Sequence, residues 1–164
     1  MSYIITRERT PLRKLIRNGA HFEEYFFGTT KIASSEPPHA PRNMAIREII
    51  KRNQGRKRIL QEASTSSHIL RLVRDNFPER VRCKIQLFNA IGTTLDYHHG
   101  IDGFFELKRG IATFDLTLRS DKDILKANLF ITPEDLDSME NMEQLASSIA
   151  EILKGRNDYN ILDF

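Results

Sequence analysis

The stretch HHGIDGFFELKRGIATFDLTLRSDK, residues 98–122, decides the fold. Successive side chains of a strand point to opposite faces of a sheet, and residues 101–107 and 111–118 both show this alternation. Lys108-Arg109-Gly110 between them is typical of a turn. We therefore predict a β-hairpin with one apolar set on each arm: Ile101, Gly103, Phe105 and Leu107 on the first, and Ala112, Phe114, Leu116 and Leu118 on the second.

The pairing of the two arms follows from burial. Both apolar sets need a core, so they must lie on the same side of the hairpin, and this fixes the register. A tight turn centred on Lys108 and Arg109 then places Asp102 directly across from Asp115 on the opposite face. A three-residue loop ending in glycine would change the pairing, but burial favours the tight turn. The same face carries Phe104, which either stacks on bases or is buried by a helix or by the N-terminal arm.

Asp102 and Asp115 are the candidate metal ligands. Like charges that face each other across a hairpin destabilise it unless something offsets them. A divalent cation is one solution, because hard Mg²⁺ prefers carboxylate oxygens. A salt bridge to a nearby basic residue such as Arg119 is another, and two merely exposed acids are a third. His99, ahead of His98, is close enough in sequence to Asp102 to act as a ligand, a general base or a phosphate contact.

Further elements are expected on both sides of the hairpin. Before it we predict a half-buried strand at residues 81–87, which would bury Cys83 in the core, and a turn at residues 89–94. After it we predict a fourth strand at residues 127–132, a helix start at Thr132-Pro133 with a break near Asp137, and a helix over residues 142–153 closed by Gly155.

The first eighty residues are predicted to be helical and basic. Helices are expected over residues 12–27, 43–52 and 67–77, and the proline-containing stretch 34–41 is typical of a linker. Apolar side chains near the end of the first helix should dock the arm on the body or on a second subunit. The predicted organisation is a basic arm and linker at 1–41, a helical segment at 42–80, an α+β core at 81–157 and a tail at 158–164.

Charge is distributed unevenly along the chain. Residues 1–90 contain 18 Lys and Arg against 8 Asp and Glu, whereas residues 91–164 contain 7 against 14. A basic half suits a nucleic acid partner, because each phosphate that a protein neutralises releases counterions. Solvated helix faces explain the asymmetry equally well, and so does attraction between the two halves in a homodimer.

Several classes of protein are excluded by composition and motifs. Cys83 is the single cysteine, so neither a disulfide framework nor a cysteine-based zinc site is expected. The sequence lacks an apolar run near the ~20 residues of a membrane helix, and its N-terminus lacks the apolar region of a signal peptide. We expect a cytoplasmic protein with no membrane partner. Phosphate-binding loops, dinucleotide fingerprints and the HExxH and GxSxG motifs are also missing from the sequence.

Residues 98–122 resemble the PD-(D/E)XK nuclease superfamily, which has the restriction-endonuclease-like fold. In that family one acid begins the second core strand, and a second acid, followed two residues later by lysine, lies on its hairpin partner. Asp102 matches the first acid and Asp115 the second. The resemblance implies an α+β protein with an αβββαβ core and a basic helical N-terminal half. It also implies an endonuclease that hydrolyses phosphodiester bonds with Mg²⁺ or Mn²⁺, with DNA favoured over RNA.

The sequence departs from this pattern at Thr117, where the family has lysine. Lys122 or Arg119 could supply the positive charge instead. A second literal match combines Asp96 with Glu106-x-Lys108, but this one ranks lower because its last two residues fall at the hairpin tip. Some family members add an acid from a helix, and Glu62 or Glu48 could take that part here.

The resemblance therefore implies a set of site residues and one alternative. Asp102 and Asp115 would hold the metal. Lys122, Arg119 and His99 complete the catalytic set, and the phosphate contacts are expected at Arg52, Arg56, Lys57, Arg58, Lys84, Lys108 and Arg109. If neither candidate cation reaches the acids, the same fold would be a catalytically inactive module that binds nucleic acid or a protein partner.

Overall fold

The structure is a computed structural model, and it describes residues 9–28, 35–53, 64–108, 110–119 and 126–155. The helices in these ranges are α1 (Leu12–Leu15), α2 (Gly19–Phe27), α3 (Arg42–Asn53), α4 (Thr65–Asp75), α5 (Glu79–Arg82), α6 (Thr94–His99) and α7 (Met139–Gly155). The strands are β1 (Gln86–Asn89), β2 (Gly103–Leu107), β3 (Gly110–Leu116) and β4 (Leu129–Ile131), and a 3₁₀ helix covers Pro133–Leu136. The predicted α+β class is confirmed. None of the helices in the described ranges has the length and apolar character needed to cross a membrane.

The four strands form one mixed sheet in the order β1-β2-β3-β4. β2 is antiparallel to both β1 and β3, whereas β3 and β4 are parallel. In the hairpin, Gly103 pairs with Phe114 and Leu107 pairs with Gly110. The predicted register is confirmed over these residues. The burial of the two apolar sets therefore sets the register, and the preference of Lys-Arg-Gly for a three-residue loop does not. Lys108, in the turn, has a φ of 53°, in the left-handed region that favours glycine.

The first core lies between one face of the sheet and helices α2, α4 and α7. It buries the predicted hairpin side chains Phe105, Leu107, Ala112, Phe114 and Leu116, and Leu118 packs against it. Phe26 of α2 meets the ring of Phe114 edge to face at 5.5 Å. Full burial of one such apolar side chain stabilises a fold by about 1.5–3 kcal/mol. The N-terminal arm therefore docks on the body of the protein through α2.

Local signals place the helices of this core. Ser64 begins α4, because its side chain accepts a hydrogen bond from the backbone of Ser67, which is the usual way to satisfy a free N–H at a helix start. Ile69, Leu70 and Val73 then line one buried face. The predicted helix over residues 12–27 is instead two helices, because Asn18 accepts from the backbone of His21 and starts α2.

The second core lies on the opposite face of the sheet, under α3 and α6. Phe88 of β1 and Phe104 of β2 stack there at 4.7 Å between ring centroids, and both are buried. Ile46 and Ile49 of α3 close this core. Of the two alternatives for Phe104, burial under a helix is correct and stacking on bases is wrong, because its ring is 0% exposed.

A β-bulge marks the start of β2. The backbone N–H of Asp102 donates to the carbonyl of Phe114 at 3.0 Å, although Gly103 is the register partner of Phe114. Two successive residues thus oppose one, which defines a bulge. The predicted face of Ile101 is therefore wrong: its side chain lies in the second core. A Cβ at Gly103 would lie 2.4 Å from the Cζ atom of Phe114, so only glycine fits the closely packed bulge.

The predicted strand at residues 81–87 is wrong in its first half. Val81 belongs to α5, and the strand begins only at Gln86. Pro78 precedes the helix and Arg82 donates from Nε to the carbonyl of Phe77, so the chain turns here instead of extending. Cys83, predicted as a core residue, is exposed in this turn. The predicted turn at residues 89–94 is shorter than expected, because α6 starts at Thr94.

The C-terminal elements follow the prediction closely. Thr132 and Asp135 form a reciprocal capping box at the start of the 3₁₀ helix, and α7 ends at Gly155. However, α7 follows β4, whereas the αβββαβ core implied by the resemblance has a helix between its third and fourth strands. The segment between β3 and β4 includes residues 120–125, which lie outside the described residues.

Candidate metal centre

Two carboxylates meet where β2 begins and β3 ends, as predicted for Asp102 and Asp115. A hydrogen bond joins their side chains. Asp102 is 5% exposed, and its Oδ2 atom accepts a hydrogen bond from the backbone N–H of Leu116 at 2.7 Å. The bulge brings the Asp102 side chain to this backbone group. The hairpin therefore holds one carboxyl group rigidly inside the protein and a second one, half-buried, in contact with it.

Two more acids join this pair, and we call the four residues Glu23, Asp96, Asp102 and Asp115 the acid cluster. Asp96 of α6 is hydrogen bonded to the side chain of Asp102, and its Oδ2 atom accepts from the N–H of Gly92 at 2.8 Å. Glu23 of α2 is close enough to Asp96 and Asp115 to feel both charges. Four acids from α2, α6 and the two ends of the hairpin thus lie together.

The electrostatics of the acid cluster favour uptake of positive charge. Burial, together with the charges of Asp115 and Asp96, raises the pKa of Asp102 to about 8, although the hydrogen bond from Leu116 acts in the opposite direction. Burial also raises the pKa of Asp96 and of Glu23, and the charge of Asp115 acts in the same direction on both. The group therefore holds protons more tightly than free carboxylates do, and a cation would compete for the same oxygens.

The donor atoms fit a hard divalent cation. Mg²⁺ binds through one or two carboxylates and keeps several waters or phosphate oxygens as its other ligands. Asp102 and Asp115 supply such a pair, with Asp96 and Glu23 beside them. Across the described ranges, no group of three or more His, Cys, Asp or Glu side chains stands ready to enclose a metal ion. The chemistry thus fits two direct ligands completed by water, and not a closed protein cage.

Sequence reasoning missed Glu23 and gave Asp96 only a minor part. Glu23 lies about eighty residues before the hairpin in sequence, and its position depends on the packing of α2 through Phe22 and Phe26. The one sequence signal for Glu23 is that it lies between Phe22 and Phe26, two apolar residues at helical spacing that dock α2 on the sheet. The proposed helix acid Glu48 instead pairs with Arg52 on α3, and Glu62 lies outside the described residues.

The histidines have a different contact from the predicted one. His99 donates from Nε2 to the carbonyl of Ala40 at 2.8 Å, and His98 donates to the carbonyl of Pro37 at 2.8 Å. The ring of His39 packs against the rings of both. These bonds fasten the linker before α3 to α6, so in this structure the Nε2 atom of His99 binds the linker and not an acid or a substrate.

The predicted cations of the site are only partly described. Thr117, in the position of the family's lysine, is buried, and its hydroxyl accepts from the backbone N–H of Arg119. The side chain of Arg119 is exposed beside it. Lys122 lies outside the described residues. Of the second literal match, only Asp96 reaches the acid cluster, since Glu106 and Lys108 lie at the other end of the hairpin.

Three of the predicted phosphate contacts lie in the described part of the chain, each on a different element. Arg52 is exposed on α3 and paired with Glu48 at 3.0 Å. Lys84 is exposed in the turn before β1, and Lys108 is exposed at the hairpin tip. The remaining predicted contacts lie outside the described residues: Arg56, Lys57, Arg58 and Arg109.

Comparisons with known proteins were made at three levels. Family models, curated proteins and solved structures all gave no significant match to the chain. The function must therefore be inferred from the geometry and chemistry of this chain.

Proposed function

We propose that the protein is a divalent-metal-dependent nuclease that hydrolyses phosphodiester bonds, with DNA favoured over RNA. The observation that carries the proposal is the acid cluster: a 5% exposed Asp102 in contact with Asp115, and two further acids around them. A soluble domain that needed only stability would gain from replacing such a buried, mutually repelling group. Its presence supports a role in binding cations.

The residues of the acid cluster have different roles in this proposal. Asp102 and Asp115 would hold Mg²⁺ or Mn²⁺, and such an ion would supply Lewis-acid activation of a phosphate oxygen and of a water. Asp96 and Glu23 have raised pKa values, so each is a stronger base than a free carboxylate and is suited to accept the proton of the attacking water. The hydrogen bond from the backbone N–H of Leu116 fixes the position of the Asp102 carboxyl group.

The charge distribution supports a nucleic acid substrate. The acid cluster alone would repel phosphates, so the substrate must be attracted elsewhere on the protein. Residues 1–90 provide an excess of basic residues, 18 against 8, and part of this half packs directly against the sheet as α2 and α3. The fold of a PD-(D/E)XK nuclease, which the hairpin resembles, would place the two acids in the same way.

An inactive binding module is the second candidate, and Thr117 favours it. The side chain in the lysine position is a buried hydroxyl engaged with the backbone of Arg119, so no amine approaches the acids from that point of β3. In this alternative the fold binds nucleic acid or a protein partner, and the acid cluster is retained without hydrolysis.

Cleavage assays separate these two functions. Plasmid, linear duplex DNA, single-stranded DNA and RNA should be incubated with Mg²⁺, with Mn²⁺ and with EDTA. We expect metal-dependent products from the native protein and none from Asp102→Asn or Asp115→Ala. Asp75→Asn is the matched control, because Asp75 is an exposed acid at the end of α4 that pairs with Arg82 and is not one of the four residues of the acid cluster. Full activity in either cluster variant would refute the assignment, and no products from a folded native protein would favour the binding module.

A further inference from the structure

A cleft of about 690 Å³ lies between α3 and the tip of the hairpin, outside the acid cluster. Its α3 wall consists of Arg42, Asn43, Ile46, Arg47 and Ile50, which recur at intervals of three and four residues and so share one face of the helix. Its other wall consists of Glu106, Lys108 and Ile111. The volume is within the range of about 300–1,000 Å³ that is usual for small-molecule and nucleotide pockets.

The lining of this cleft combines positive charge with an apolar floor. Arg42, Arg47 and Lys108 outnumber the single acid Glu106, which gives a net charge of +2 (three positive, one negative). Three isoleucines supply the apolar part. A guanidinium group can bind phosphate oxygens through two N–H groups at once and can also stack on a base. The cleft thus offers complementary chemistry to both parts of a nucleotide.

The α3 wall of the cleft is tied to β3 of the hairpin by a hydrogen bond. Ile111, Thr113 and Asp115 alternate toward the same face of the strand, and Arg42 of the cleft donates from Nη2 to the hydroxyl of Thr113 at 3.0 Å. Thr113 is fully buried, so this hydrogen bond holds the α3 wall of the cleft against the hairpin wall.

We propose that this cleft binds an unpaired nucleotide of a single-stranded segment of nucleic acid. The base lies on the partly buried Ile50 and Ile111, and the flanking phosphates bind Arg42, Arg47 and Lys108. A duplex keeps its bases stacked inside, so it would present phosphates to the rim and leave the apolar floor unfilled. This inference rests on the proposed function for the choice of nucleic acid as the ligand, but the binding itself does not depend on hydrolysis.

Binding measurements on the full chain test the proposal. Fluorescence anisotropy with Asp102→Asn in EDTA should compare a single-stranded DNA 12-mer, an RNA 12-mer of the same sequence and the DNA duplex, each over a range of salt concentrations. We expect the single strands to bind more tightly than the duplex. The additional double change Arg47→Ala and Lys108→Ala should weaken single-strand binding at least tenfold and reduce the salt slope by about 1.4, since each lost phosphate contact of a single strand is worth about 0.7.

Two further variants test whether the cleft is the site that binds the single strand. Lys51→Ala removes one positive charge from the same helix but outside the cleft, and it should change the affinity less than twofold. Ile111→Thr keeps a β-branched residue in the strand and should weaken binding of single strands but not of the duplex. A duplex affinity equal to that of the single strand, or an equal loss from Lys51→Ala, would overturn the proposal.

Cleavage by the same cleft variants in the active background separates this proposal from the proposed function. If Asp102→Asn abolishes cleavage and the cleft variants bind single strands normally, the nuclease assignment stands and the cleft proposal fails. If single-strand binding depends on the cleft and the native protein never cleaves, the cleft proposal stands and the nuclease assignment fails.

Discussion

The two faces of the sheet use neighbouring residues for opposite purposes. On the first face, Phe114 lies among the apolar side chains of α2, α4 and α7. On the second face, Thr113 is equally buried, yet its hydroxyl is hydrogen bonded to Arg42 and to Asn128. The first face is closed by helices over its whole length, whereas the second is flanked by the acid cluster and the basic cleft. The comparison indicates that the apolar core on the first face stabilises the fold. This stability offsets the cost of partly burying charged groups beside the second face.

The largest effect should come from the first face. Phe114→Ala removes a fully buried ring that contacts the rings of Phe26, Phe27 and Phe105. We expect the free energy of unfolding to fall by about 3–5 kcal/mol, because the cavity adds to the lost transfer energy. Urea denaturation would measure the change. Tyr25→Ala, an exposed aromatic on α2, is the control and should cost less than about 1 kcal/mol. A loss below that of the control would mean that the first face does not carry the stability.

The acid cluster should make stability depend on pH. The pKa of Asp102 is about 8 in the folded protein, against an ordinary value of 3.8. The folded state therefore binds more protons than the unfolded state between these values, so the free energy of unfolding must fall as pH rises from about 4 to about 8. The raised pKa values of Asp96 and Glu23 act in the same direction.

Thermal melting across this pH range in EDTA would measure that loss, which we expect to be on the order of a few kcal/mol. Asp102→Asn should flatten the profile, because the amide carries no titrating proton. Mn²⁺ or Mg²⁺ should restore stability at pH 8 in the native protein and not in the variant. A melting temperature that rises steadily with pH in EDTA would contradict the electrostatic description of the cluster.

A smaller effect is expected from the hydroxyl on the second face. Thr113→Val keeps the shape of the side chain and removes the partner of Arg42 and Asn128. Leaving buried polar groups without a partner costs about 1–3 kcal/mol. Thr113→Ser is the matched control, because it restores the hydroxyl and loses only a methyl group. If the valine variant is as stable as the native protein in urea, the hydrogen bonds across this face contribute nothing net.

The parts of the fold that could be predicted from sequence are those that local pattern and burial determine together. Two apolar sets on Phe105 and Phe114 were enough to set the register of the hairpin, and the capping residues Ser64 and Thr132 marked element starts. That register also placed Asp102 near Asp115, and their side chains do meet, but the predicted direct pairing of the two residues across the hairpin is wrong because Asp102 bonds to Phe114 instead. The β-bulge was not predictable, because it depends on how closely Gly103 approaches Phe114.

The rest of the candidate site depends on contacts between distant segments. Glu23 joins the acid cluster only because α2 packs on the sheet, and Arg42 reaches Thr113 only because α3 covers the opposite face. Neither residue has a local signal that distinguishes it from other charged helix residues. The prediction that Cys83 is a core residue was wrong for a different reason. The alternation of apolar residues that is typical of a strand also fits a short helix followed by a turn, and Cys83 is exposed in that turn.

The conformation of Lys108 implies a trade-off between stability and activity. A residue other than glycine, asparagine or aspartate in the left-handed region costs about 1–2 kcal/mol, and Lys108 adopts this conformation at the tip of the hairpin. A protein selected for thermal resistance alone would carry Asn or Gly there, as tight hairpin turns commonly do. Lys108→Gly would remove this cost and would also remove the amine from the lining of the cleft, so stability and binding should change in opposite directions.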